Sequence, residues 1–334
     1  MILIIIYYNS IGFNIDDERS DKMFTTKFTD LHLHSEYSLQ DGMIRVQDSK
    51  DPKHIKSEII LRAEETNSDT ITVTDHGNMY AQAILASVCK TFGFKHMPGC
   101  EFYMATDTRH DKSYSRRGDA YVHINSWAKN KLGYKNMCIL QKRSFDEGFY
   151  YVPRIDKELL KQYHEGIMWS DACVGGTLST LILQGRVEEA YREFMWYLDL
   201  IGDDFYIEWH NHGIDDEDKC NQIKKEWADK HGVPIIACTD AHYYKKEDTD
   251  AHKTLLCIQY GKWADDPTFD GFPGDGYWLL NEEELLSRYP KEYCENTRLL
   301  TDKCEGNIIE FGDIRPPQFK IPEDFIQQYL QSAT

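Results

Sequence analysis

From about Phe28 onward, short runs rich in β-branched and aromatic residues alternate with stretches of helical periodicity. That alternation restricts the chain to an α/β fold, with βα units around a parallel sheet or barrel. The pattern predicts strands over Phe28 to Leu33, Thr70 to Thr74, Tyr121 to Ile124, Gly166 to Trp169, Phe205 to Trp209 and Pro234 to Cys238. It predicts helices over His54 to Thr66, Tyr80 to Thr91, Lys131 to Arg143, Val187 to Leu200 and Asp216 to Lys230. A stretch rich in Asp, Gly and Pro from Trp263 to Gly276 marks a boundary, beyond which Asn281 to Tyr289 reads as a helix. No internal repeat interrupts the series.

With 334 residues, 41% of them hydrophobic, the chain can bury one large core or two ordinary ones. Its net charge of -18 and pI near 5.1 oppose condensation onto a polyanion through a broad basic surface, so any nucleic-acid contact is expected to be local. The nine cysteines are odd in number and include no Cys-x-x-Cys pair, which implies reduced thiols and a cytoplasmic setting. Met1 to Tyr8 is apolar apart from its tyrosines but has no basic flank and is too short to span a bilayer. Together with the acidic stretch from Asn14 to Lys22 it is expected to form a poorly ordered tail over residues 1–22.

Residues with ligand chemistry gather just after the expected strands. His32 and His34 end the first, Asp75 and His76 follow the second, His123 lies within another, and Asp240 and His242 close Pro234 to Cys238. In a parallel barrel the strand C-termini converge on one face, so residues distant in sequence meet there. The alternation in His32-Leu33-His34 puts both imidazoles on one side of an extended segment, where they can share an ion, although isolated core histidines also occur in this pattern. Asp240-Ala241-His242 repeats the geometry with mixed ligands, and two such pairs weaken the plain core reading.

Here the sequence resembles a known family. Phe28-Thr-Asp-Leu-His-Leu-His-Ser-Glu-Tyr-Ser-Leu-Gln-Asp-Gly42 and Thr72-Val-Thr-Asp-His-Gly-Asn-Met79 are similar to the first two motifs of the PHP (polymerase and histidinol phosphatase) domain of bacterial-type DNA polymerase III alpha subunits. Gly99-Cys-Glu-Phe-Tyr103, Gly148-Phe-Tyr-Tyr-Val-Pro-Arg-Ile-Asp156 and Cys238-Thr-Asp-Ala-His-Tyr243 extend the resemblance, which runs from about Phe28 to Pro322. It implies a distorted TIM-like (β/α)7 barrel over residues 23–270, and an extension over residues 271–334 like the stretch that leads to a polymerase palm. It also implies a trinuclear metal centre held by His32, His34, Asp41, His76, Glu101, His123, Cys173, Asp240 and His242, all of which are suitable ligands here.

The charge of that set supports it. Asp41, Glu101, Asp240 and a Cys173 thiolate supply four negative charges, which two divalent ions would cancel and three would exceed, leaving a centre that attracts phosphate. Two or three divalent ions are therefore expected. Mixed imidazole, carboxylate and thiolate ligation suits Zn²⁺, Mn²⁺ or Fe²⁺, with Mg²⁺ a further candidate. Glu101 and Asp240 are expected to serve catalysis as well as ligation, with Glu101 bridging ions. Arg154 is a candidate phosphate contact, weighed against a surface arginine. Glu208 and His212 are weighed as supporting or substrate-contacting residues against loop roles, and His210 has no assigned part. His54, His96, His110, His164, His231 and His252 read as solvated, and the other eight cysteines as small buried residues. Asp215 to Asp218 reads as an acidic helix start.

The resemblance implies a metal-dependent phosphodiesterase, a 3′ to 5′ exonuclease acting on a primer end for a replicative polymerase. A histidinol-phosphatase-like small-molecule phosphatase and a module without turnover are the alternatives. No palm candidate precedes Thr334, so the chain reads as the N-terminal piece of an alpha subunit that does not polymerise DNA alone. DNA and a palm-containing chain or other replisome subunits are its expected partners.

Overall fold

The computed structural model describes residues 24–312, apart from residues 40, 49 and 52, together with residues 322 and 325. The expected tail over residues 1–22 lies outside the described residues. The strands are β1 (Thr70–Ile71), β2 (Lys95–His96), β3 (Gly99–Ala105), β4 (Tyr121–Ala128), β5 (Arg154–Ile155), β6 (Ile167–Ser170), β7 (Phe205–Trp209) and β8 (Ile235–Ala237). Around them lie α1 (Glu58–Glu65), α2 (Gln82–Phe92), α3 (Lys131–Asp146), α4 (Lys157–Tyr163), α5 (Thr177–Leu183), α6 (Val187–Ile201), α7 (Asp215–His231) and α8 (Thr249–Tyr260). Three short helices follow, α9 (Glu282–Arg288), α10 (Lys291–Glu295) and α11 (Thr297–Lys303).

Local chemistry sets many of these boundaries. Asn130 caps α3 by accepting from the Gly133 amide at 3.0 Å, and Asp156 caps α4 by accepting from the Leu159 amide at 3.1 Å. The acidic run Asp215 to Asp218 occupies the first turn of α7, where it complements the helix dipole as expected.

Six strands form one sheet in the order β5-β3-β4-β6-β7-β8, and β1 and β2 form a separate parallel pair. The sheet is mixed. β4 runs antiparallel to both β3 and β6, whereas the β3/β5, β6/β7 and β7/β8 pairs are parallel. The all-parallel expectation is corrected here for a simple reason: the connection from β3 to β4 holds only a short 3-10 turn and no crossover helix, so the chain returns antiparallel.

Single backbone bonds join the sheet ends. The His34 amide donates to Ala241 just after β8 at 2.8 Å, the Thr74 amide donates to Leu33 at 2.8 Å, and His76 bridges to Glu101 in β3. Bonding thus returns from β8 through Leu33 and Thr74 to β3, giving a distorted, barrel-like closure. The expected strands at Phe28 to Leu33 and Thr70 to Thr74 shrink to one bridge at Leu33 and the pair Thr70–Ile71. One cause is visible: the Leu33 amide donates to the Thr74 hydroxyl at 3.1 Å, so a side chain replaces a ladder partner.

The main core packs Phe102, Trp127, Trp169, Phe194 and Tyr206 with Trp278, Leu285, Tyr289 and Leu300. The stretch from Trp263 to Gly276 is therefore no boundary between cores, since apolar side chains on both sides of it share one interior. It is a surface excursion, with Trp263 81% exposed and Gly271, Gly274 and Gly276 at positive φ. Among the described residues no helix is long and apolar enough to cross a membrane.

Candidate metal centre

The closure brings side chains from five segments together in one buried group. His32 and His34 flank the Leu33 bridge, His76 follows β1, Glu101 sits in β3, and Asp240 and His242 follow β8. His123 joins them because β4 is antiparallel: its early residues lie on the rim where β3 ends, with His123 opposite Tyr103. Asp41 alone comes from a loop, which the Asp41 and Gly42 amides fasten by donating to Ser38 O at 3.2 and 2.8 Å.

His32 Nε2 and His34 Nε2 lie 3.2 and 3.1 Å from Asp240 Oδ1, and 3.4 and 3.7 Å from the two oxygens of Glu101. Glu101 Oε1 is 2.8 Å from His123 Nδ1, and its Oε2 is 2.5 Å from His76 Nδ1. His76 Nε2 is 3.4 Å from Asp41 Oδ2. The ligand atoms of His32, His34 and Asp240 lie within 4.8 Å of one another, as do those of His76, Glu101 and His123, and those of His34, His76 and His242.

These residues fit metal ions on two counts. His32 Nε2, His34 Nε2, Asp41 Oδ1, Glu101 Oε2, Asp240 Oδ1 and His242 Nε2 are buried and make no hydrogen bond. Orphaned buried polar atoms are costly, so a converging group of them marks a place for a ligand. Two donors held about 2.1 Å from one tetrahedral ion stand roughly 3.4 Å apart, and the separations from Asp240 to His32 and His34 are close to that.

Supporting bonds aim the imidazoles. His32 Nδ1 pairs with Glu208 at 2.8 Å, His34 Nδ1 with the Ser38 hydroxyl at 2.9 Å, and His242 Nδ1 with the Asp240 carbonyl at 2.7 Å, which leaves each Nε2 turned inward. Glu208 also accepts from Asn125 at 2.9 Å and from Ser170, and pairs with His210 at 2.8 Å. Its backbone amide donates to Asp171 at 2.8 Å, and Asp171 pairs with the buried Lys224 at 2.8 Å. His212 lies between Glu217 at 2.6 Å and the Thr239 carbonyl at 2.9 Å.

Charges here are strongly coupled. Burial opposes protonation of His32, yet Asp240, Glu208 and Glu101 outweigh it and hold the imidazole well above its usual range. His76 is raised to about 9, burial being overcome by Asp41 and Glu101. Burial and neighbouring imidazoles push His34 and His242 down instead. Asp240 and Glu101 lie well below the usual carboxylate range because, despite burial, histidines surround them.

Eight of the nine expected ligands thus converge through these contacts. Cys173 lies at the edge: it joins none of the close groups, but burial followed by Asp240 and Glu101 drives its thiol well up. Arg154 requires correction. It is fully buried, neither a surface arginine nor a group turned to the cleft, and donates to the carbonyls of Gly148, Ala120, Arg109 and Asp111 at 2.8 to 3.1 Å. His96 and His252 are buried rather than solvated, and Cys138 is exposed while the other seven cysteines besides Cys173 are buried. His210, which the sequence reading gives no part, supports Glu208, and His210-Asn211-His212 repeats after β7 the same His-x-His signal that marks His32 and His34.

Residues 30–212 match the family model described as PHP domain. The chain is 35% identical to the DNA polymerase III subunit alpha of Borreliella burgdorferi over 93% of its own length and 27% of that protein. It is likewise 35% identical to the DNA polymerase III subunit alpha of Treponema pallidum, over 91% of this chain and 25% of that one. The chain thus spans about a quarter of the length of these relatives. A solved amidohydrolase from Chromobacterium violaceum aligns over 64% of this chain and 87% of its own at 15% identity, with a TM-score of 0.35.

Proposed function

The chain belongs to the PHP family, and from that premise we propose that it is the PHP portion of a replicase alpha subunit and hydrolyses phosphodiester bonds, acting as a 3′ to 5′ exonuclease on primer ends. The observation that carries this reading is the converging set of buried, unpartnered donor atoms on His32, His34, Glu101, Asp240 and His242. Two or three divalent ions, Zn²⁺, Mn²⁺ or Fe²⁺, with Mg²⁺ as a further candidate, are the group this set would hold. When bound, such ions polarise phosphoryl oxygens and make hydroxide available near neutral pH.

The chain's own residues do the rest. Glu101 faces His123 with one oxygen and His76 with the other, which suits it to bridging two sites. Asp240 faces His32 and His34 through a single oxygen, keeping that half of the cleft compact. Glu208 fixes which nitrogen of His32 turns inward. A net charge of -18 opposes a broad DNA interface, so the proposed DNA contact is local to the metal centre. DNA and a palm-containing polypeptide or other replisome subunits are the proposed partners, and the nine free thiols suit the reducing cytoplasm.

Elemental analysis of the purified chain, paired with nuclease assays on single-stranded and mismatched primer ends, tests this. Two or three ions per chain are expected, together with hydrolysis abolished by a chelator and lost at least a thousandfold in His32→Ala and Asp240→Ala that keep the far-UV circular dichroism of the parent. Less than one ion per folded chain, or undiminished rates in both variants, would overturn it.

A further inference from the structure

Tyr151 has a backbone φ of +63°, a left-handed conformation that a bulky side chain rarely adopts, and the residue is 46% exposed. Such strain persists only where the surroundings impose it. Arg154 lies three residues on. Its guanidinium ties Gly148, just before the Phe149-Tyr150-Tyr151 run, to Arg109 and Asp111 of the β3–β4 connection and to Ala120, the residue before Tyr121. It also lies 5.3 Å from the Tyr150 ring centre, and Tyr150 stands 4.4 Å from Tyr151. One buried cation thus fixes two aromatic-bearing segments against each other.

Both segments border the metal centre. Tyr121 packs edge-on to Tyr103 at 4.7 Å and parallel to His123 at 6.1 Å. Tyr103 in turn stacks on His76 at 6.1 Å and lies so close over Gly77 that a Cβ there would stand 2.6 Å from the ring. Pro153, two residues after Tyr151, reaches the same point, 3.2 Å from that Cβ position. Tyr103 and Pro153 thus meet over Gly77, beside His76, which sets the segment carrying the exposed Tyr151 next to the segment carrying Tyr121.

We propose that Tyr121 and Tyr151 form a stacking ledge for unpaired nucleobases at the mouth of the metal centre, with Arg154 as the positioning residue that holds the ledge in place. This rests on the reading that the centre acts on phosphodiesters, and adds the substrate class: a single-stranded or frayed end. Aromatic stacking suits a chain of charge -18, because it gives affinity for nucleic acid without a basic surface and accepts any base. The Tyr151 hydroxyl makes only a long hydrogen bond, 3.4 Å to the Tyr114 carbonyl, so the ring rather than the hydroxyl is the group the ledge offers.

The test is binding of a fluorescein-labelled, nuclease-resistant phosphorothioate (dT)12 to the metal-loaded chain, read by anisotropy beside a 12-mer of abasic residues. Tyr151→Ala should weaken (dT)12 binding about tenfold and leave the abasic probe unchanged, Tyr151→Phe should keep parental affinity, and Tyr121→Ala should act like Tyr151→Ala. Tyr151→Gly, which relieves the backbone strain, should lose (dT)12 affinity without any fall in its thermal unfolding midpoint, the opposite of what a purely structural tyrosine would give. Equal (dT)12 binding by the parent and Tyr151→Ala would overturn the ledge, as would an equal loss on both probes. The two readings fail separately: a parent that binds (dT)12 through Tyr151 but never cleaves an unmodified primer end sinks the exonuclease reading alone, and cleavage with Tyr151-independent binding sinks the ledge alone.

Discussion

Arg154 and Asp240 are both charged, both buried, and both lie at or just beyond a strand, yet their surroundings differ in kind. The Arg154 guanidinium is enclosed by four backbone carbonyls that accept its protons. Asp240 faces His32 and His34 across gaps of 3.2 and 3.1 Å, with Oδ1 making no hydrogen bond. A protein interior tolerates charge when every polar atom is matched, and the Arg154 pocket meets that condition from within the chain. The cleft does not, which is the physical sense in which it is built for something the chain does not itself contain. Glu208 stands between the two cases: it is as buried as Asp240, but its oxygens are taken by His32, His210, Asn125 and Ser170.

If this contrast is right, the largest stability effect belongs to the self-sufficient pocket. Arg154→Met removes the donor from three buried carbonyls and one part-buried one and should cost about 3–5 kcal/mol in urea unfolding, by the same amount with or without a chelator. A loss below about 1 kcal/mol, or one that appears only when metal is present, would break the comparison by making Arg154 part of the cleft.

The Glu208→Gln change sharpens the comparison from the other side. The amide keeps the shape but removes the charge that aims His32, so metal affinity should fall about 10- to 100-fold, as for other outer partners of ligating histidines. Competition with a chromophoric chelator measures it. Unchanged affinity together with a large stability loss in the metal-free protein would place Glu208 in the same class as Arg154.

How far these two regions could be read from the sequence follows from the same difference. His32, His34, Asp240 and His242 were visible as alternating pairs at strand ends, because alternation alone puts both side chains on one face. The strand carrying Glu101 was not read from periodicity, since Gly99–Ala105 is buried at every position and an acidic residue interrupts its apolar run. The antiparallel course of β4 depends on what its connection lacks, a crossover helix, and composition does not announce that. Arg154 shows the limit most clearly. Its neighbours Pro153 and Asp156 are local, but its partners at Arg109, Asp111 and Ala120 are brought in by the fold, and nothing local distinguishes an arginine that binds phosphate from one that binds carbonyls.

The smallest expected effect uses a histidine buried as deeply as those of the cleft but away from its carboxylates. His96 is 4% exposed; Nε2 pairs with Gln82 Oε1 at 3.0 Å and Nδ1 has no partner. Burial without a counter-charge lowers it to about 3, whereas His32, equally enclosed, is driven up by Asp240, Glu208 and Glu101. The sign of the linkage follows. Below about 6.5 the unfolded chain takes up a proton at His96 that the folded chain refuses, so its contribution is complete above that pH and is lost as the pH falls towards 3. Between pH 7 and 5.5 the loss should be about 1 kcal/mol. Urea unfolding of the metal-free protein at both values, compared with His96→Gln, isolates this term because the other titrating groups are shared by the two proteins. The variant should lose less stability than the parent on acidification, and an equal or greater loss would mean that His96 is protonated in the fold and that the difference between the cleft histidines and this one has another cause.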